Sequence, residues 1–110
     1  MQTEMWTYGN TFPANQDLDG FDVEAIDGSI GEVDEATSEV GGSYIVVDTG
    51  PWIFGKKVML PAGTLQRVDL NARKVFVNRT KDQIKNSPEY DPDRVDDDYR
   101  SRLGTYYADA

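Results

Sequence analysis

The sequence predicts a mainly β fold: a small barrel of about six short antiparallel strands, then a short helix and a C-terminal amphipathic helix. Three observations predict it. Apolar residues alternate with polar ones over short stretches between residues 21 and 77, as half-buried strands require. Gly and Pro divide those stretches at Asp27-Gly28, Gly41-Gly42, Gly50-Pro51, Gly55 and Pro61. From Thr80 onward the period changes from two to between three and four. The chain has 110 residues, enough for one domain with a modest core.

Residues 1–17 are polar with scattered aromatics (Trp6, Tyr8, Phe12) and several breakers, and are expected to form an arm. The barrel is expected over 18–90. Phe21, Val23 and Ala25 alternate with Asp22 and Glu24, and Asp27-Gly28 signals a hairpin, because its central positions favour φ > 0. Ile30 and Val33 have the wrong parity for one strand face. Both can face inward only if a residue slips, and Gly31 is the place for that bulge. Tyr44–Val47 is the most apolar stretch and is expected to be the central strand, ending at Gly50-Pro51 because Pro51 has no amide to donate. Lys56–Leu60, Leu65–Leu70 and Val75–Val77 complete the strands.

Thr80 and Gln83 have capping-box spacing, predicting a helix over about 81–86 that stops before Pro88. Asp91-Pro92 resembles an N-cap followed by proline at the first helical position. A second helix is expected over about 92–107, within a C-terminal segment 91–110. Val95, Tyr99, Leu103 and Tyr106 form its apolar stripe, and the acidic residues Asp93, Asp96, Asp97 and Asp98 complement its dipole.

Composition narrows the chemistry. There are no cysteines and no histidines. This removes disulfides, thiol nucleophiles, Cys- or His-ligated metals and the usual general base. The net charge is −9, which repels phosphate backbones and anionic lipid and argues against general nucleic-acid binding. No apolar run has the roughly 20 residues of a transmembrane helix. The first ten residues show no basic region followed by an apolar stretch, so a cytoplasmic location is expected.

Three motifs invite functional readings. Asp48-Thr49-Gly50 after an apolar strand resembles the catalytic loop of an aspartic protease, which would have to dimerise to bring two carboxylates together. However, Pro51 follows the motif, and the nearest candidate for the second conserved segment, Ser101–Gly104, lies in a predicted helix. A strand ended by a Gly-Pro turn accounts for the motif better. Asn15–Asp22 resembles part of a calcium loop, but the twelfth position is Ile26 and no helix leads in. A polar turn accounts for it. Trp52 and Phe54, beside Lys56 and Lys57, either close one end of the barrel or act as protein-binding anchors.

The segments LDGFDVEAIDGSIGEVDEA, YIVVDTGPWIFGKKVMLPAGTLQRVD and KVFVNRTKDQIKNSPEYDPD together resemble the PRC-barrel family. Gly20, Asp27-Gly28, Ile30-Gly31-Glu32-Val33, Tyr44–Val47, Gly55-Lys56, Pro61 and Thr80 through Tyr90 hold its pattern. The family occurs in the cytoplasmic part of the photosynthetic reaction-centre H subunit, in the C-terminal half of RimM, and as small stand-alone bacterial proteins. The resemblance implies a PRC-type barrel acting as a binding or assembly module, with no catalytic residues, no metal and no cofactor. The expected function is contact with an unidentified protein partner, with self-association as an option. The expected binding residues are Trp52, Phe54, Tyr99, Leu103, Tyr106 and Tyr107. Tyr99, Leu103, Tyr106 and Tyr107 offer more apolar surface than one packing face needs, so one side is expected to cover the barrel and the other to meet a second chain.

Overall fold

The structure is a computed structural model that describes residues 18–36, 43–50, 57–91, 93 and 95–109. The expected arm, residues 1–17, lies outside them. Six strands form one sheet: β1 (Asp22–Ala25), β2 (Gly28–Ala36), β3 (Tyr44–Asp48), β4 (Lys57–Pro61), β5 (Leu65–Asp69) and β6 (Lys74–Val77). A 3-10 turn, Ala62–Thr64, joins β4 to β5. Helices α1 (Lys81–Lys85) and α2 (Asp97–Asp109) follow.

The order across the sheet is β4-β3-β2-β1-β6-β5. The first four strands are the antiparallel meander read from the turns. The all-antiparallel expectation is corrected at one pair: β6 lies parallel to β1, with Val23 beside Val75 and Glu24 beside Phe76. The β5–β6 hairpin inserts with β6 innermost, and the Asp22 and Ile26 amides donate to the Arg73 and Arg79 carbonyls at 3.0 and 2.9 Å to hold it there. β3 is corrected too. It is interior but next to the edge strand β4, and its apolar run reflects burial of Ile45, Val46 and Val47 on both faces.

The sheet is curled but not closed. Its edge strands β4 and β5 form no ladder with each other among the described residues, yet only Ala62–Thr64 separates them. Six strands laid flat would put the edges roughly 24 Å apart at about 4.8 Å per spacing. The four steps from Pro61 to Leu65 span at most roughly 14 Å. The short link therefore requires a barrel-like curl. Thr64 secures the corner by donating its hydroxyl to the Pro61 carbonyl at 2.8 Å.

The predicted bulge is present. Val23 pairs with Gly31 and Glu24 with Ser29, so Ile30 is the extra residue. Ile30 and Val33 both reach the core. A second bulge leaves Asp34 unpaired between Val33 and Glu35, and its carboxylate takes Lys57 Nζ at 2.8 Å.

The core fills the concave side of the sheet. Val23, Ile30, Ile45, Leu60, Val75 and Val77 meet Ile84 of α1 and Tyr99, Leu103 and Tyr107 of α2. α1 has the predicted capping box, with Thr80 Oγ1 accepting from the Gln83 amide at 3.2 Å and Gln83 Oε1 from the Thr80 amide at 2.9 Å. α2 starts later than predicted. Asp96 Oδ1 accepts from the Tyr99 amide at 2.8 Å and caps it, while Asp91 caps a separate turn through the Asp93 amide. No helix among the described residues is long and apolar enough to cross a membrane.

Candidate binding face

The helix stripe serves the core. Tyr99, Leu103 and Tyr107 recur every four residues and are buried against the sheet. Tyr106 is half-buried at the margin and donates its hydroxyl to the Gln83 carbonyl at 2.6 Å. Arg79 Nη2 donates to the Tyr107 carbonyl at 2.7 Å, where the helix C-terminus favours a cation. These contacts bind α2 to α1 and to the end of β6. The side of α2 expected to cover the barrel therefore takes up three of the four helix residues named as binding candidates. Trp52 and Phe54 lie outside the described residues.

Asp48-Thr49-Gly50 forms the exit turn of β3. Asp48 Oδ1 accepts from the Gly50 amide at 3.0 Å, and Gly50 has φ +56°. The carboxylate is exposed and stands between Glu32 and Lys57 in cross-strand register. The calcium-like stretch ends in a turn over Leu18–Phe21, where the Phe21 amide donates to the Leu18 carbonyl at 3.0 Å and Gly20 takes φ +83°. Among the described residues, no group of three or more carboxylates is placed to hold a metal ion.

The convex side of the sheet carries two cross-strand rows. In one, Lys57, Asp48, Glu32, Asp22, Lys74 and Asp69 follow one another from β4 to β5. In the other, Arg67 on β5, Phe76 on β6, Glu24 on β1 and Ser29 on β2 stand side by side. Phe76 faces outward because its neighbours Val75 and Val77 face the core. Arg67 lies over its ring at 3.9 Å from the centroid, a cation–π contact worth about 0.5–1 kcal/mol at an exposed site.

Beside this pair is an open cleft. Phe76 lies on it with Glu24, Ile26, Gly28, Gln66 and Arg67. Ile26, at the β1–β2 turn, is 66% exposed, the most open large apolar side chain among the described residues. Gln66 is the bulged residue of β5, since Leu65 pairs with Val77 and Arg67 with Phe76. The Lys81 side chain crosses Gly28: a Cβ there would be 3.6 Å from Lys81 Cδ. Glu24 is neutralised by Lys74 at 3.3 Å. The sequence signal for this face is the Val-Phe-Val alternation of residues 75–77, which sets Phe76 opposite the two core valines.

No protein-family model matches this chain, and no curated protein sequence does. Among solved structures it is similar to a 16S ribosomal RNA processing protein, RimM, of Pseudomonas aeruginosa, with a TM-score of 0.50 and 22% identity. The match covers 59% of this chain and 42% of that one, so the matched part spans less than half of that protein's length. The likeness supports a PRC-barrel-like fold and carries the fold alone.

Proposed function

We propose that this chain is a non-enzymatic PRC-barrel-like module that binds another protein through the convex face of β1, β6 and β5. The carrying observation is the Arg67–Phe76 stack beside the exposed Ile26, held in register on three paired strands. A rigid aromatic with a stacked arginine is the composition of an interface anchor, and an exposed isoleucine beside it adds apolar area to cover. The likeness to RimM fits a binding module. The ribosomal RNA processing in that protein's name belongs to a chain of which the match covers only 42%.

Photo-crosslinking in the native cells tests the reading. A benzophenone amino acid in place of Phe76 is expected to give a discrete adduct with a second protein. The same group in place of Arg102, exposed on α2, is expected to give none. Absence of adducts from Phe76, or identical adducts from both positions, would overturn the proposal.

A further inference from the structure

We infer that the cleft beside Phe76 receives an acidic segment of the partner, one that inserts an apolar side chain and presents a carboxylate to Arg67. The inference rests on the binding-face reading and adds the chemistry of the occupant.

Charge is unevenly placed in this chain. Residues 66–85 hold six of the eleven basic residues and two of the twenty acidic ones. Of these six, Arg67 lines the cleft and Lys81 lies beside its Gly28, while Arg73 lies over Phe21, Lys74 pairs with Glu24 and Arg79 turns to α2. At physiological salt, charges beyond about 8 Å are largely screened, so the groups at the cleft count for more than the net charge. Arg67 and Lys81 flank it from β5 and α1.

Two acidic side chains neighbour Arg67 in the sheet, Glu24 across Phe76 and Asp69 two residues along β5, and both are already engaged. Glu24 pairs with Lys74, and Asp69 accepts from the Ala72 amide at 3.0 Å. Among the described residues Arg67 has no ion-pair partner. Stacking uses the face of its guanidinium and leaves the N–H edges in the plane, the geometry that takes a carboxylate with two hydrogen bonds. Phe76 and Ile26 supply the apolar floor and wall for the neighbouring side chain. Strand addition along β5 is disfavoured by the Gln66 bulge, one of the devices that protect sheet edges. The cleft is the better seat.

The test is selection from a displayed library of random peptides against the whole protein, with Arg67→Glu and Phe76→Ala as parallel baits. Melting curves establish that each bait is folded, and Arg67→Gln replaces the reversal if that variant unfolds. Enriched sequences are expected to carry Asp or Glu within two positions of an aromatic or large aliphatic residue. Arg67→Glu is expected to invert the preference to Lys or Arg, Arg67→Gln to abolish it. Phe76→Ala is expected to weaken binding by about tenfold or more, as loss of one anchor does. A consensus without acidic residues, enrichment indifferent to Arg67, or no peptide bound at this face overturns the inference. Occupation of the face by a single-stranded oligonucleotide or a second copy of the chain, in place of acidic peptides, overturns it too. If Phe76 still crosslinks to a protein, the binding module stands and only the acidic class of occupant falls.

Discussion

Gly31 and Asp48 meet backbone to backbone: a Cβ on Gly31 would lie 2.9 Å from the Asp48 carbonyl carbon and 2.9 Å from Thr49 Cα. Gly31 also has φ +148°, which L side chains rarely adopt. This contact lets the β2 bulge turn Ile30 and Val33 to the same side while β2 remains paired with β3.

Gly31→Ala is therefore expected to destabilise the protein by about 3 kcal/mol, from strain and overpacking together. Gly50→Ala is the control. Gly50 also has positive φ, but a Cβ there meets nothing within 4 Å, so the cost is about 1–2 kcal/mol from backbone conformation alone. Urea denaturation of the two variants checks the difference.

Asp48 offers a test of its own turn. Asp48→Ala removes the acceptor for the Gly50 amide and is expected to cost about 1 kcal/mol. Asp48→Asn keeps an acceptor there and removes one of three carboxylates in adjacent register, Asp22, Glu32 and Asp48, where like charges repel. It is expected to fall within about 0.5 kcal/mol of wild type. Loss on the scale of the alanine variant would show that the charge, not the turn, matters. Denaturant midpoints at low and moderate salt separate the two.

Much of this fold was legible because its signals are local. The odd spacing of Ile30 and Val33 required a slip at Gly31, and Thr80 with Gln83 specified the cap of α1. The parallel β1–β6 pair left no local mark, since a valine-rich strand reads the same with a parallel or antiparallel neighbour. The start of α2 was misplaced because Asp91 and Asp96 have the same capping chemistry, and sequence does not say which caps a helix and which a turn. The stripe was read through Tyr106 rather than Tyr107, because adjacent tyrosines cannot both face the core and only the helix phase chooses between them. The Arg67–Phe76 stack depends on which strands become neighbours, so it could be seen only in the folded sheet.

Thr80 is expected to be worth more than its exposure suggests. α1 has five residues, too few for a helix to stand without tertiary support. Its first turn is held by the capping box and by Asp27 Oδ1, which accepts from the Lys81 amide at 2.8 Å. Thr80→Ala should cost about 1 kcal/mol, and Thr80→Ser much less. Faster amide exchange at Ile84 and Asn86, whose amides donate to the Thr80 and Asp82 carbonyls, would localise the loss to α1.

The α2 contact makes stability depend on alkaline pH. Among the described residues, the hydroxyls of Tyr99 and Tyr107 are buried without a hydrogen-bond partner. Ser87 lies near Tyr107 and opposes its shift slightly, but does not complete a bond and donates instead to the Ile84 carbonyl at 2.7 Å. Burial pushes the Tyr107 phenol from 10.0 up to about 12 and raises that of Tyr99 as well. A phenol raised on folding stays protonated in the native state where the unfolded chain has ionised. Its contribution is complete below pH 10 and is lost as pH rises through about 12. Urea midpoints should fall through that window. Tyr107→Phe and Tyr99→Phe should each flatten the fall and change neutral-pH stability by less than about 1 kcal/mol, since each removes an unpaired polar group. Leu103→Ala, at a fully buried position of the same face, should cost about 2–5 kcal/mol at every pH. An alkaline slope unchanged in the Tyr107→Phe, Tyr99→Phe double variant would show that other groups carry it.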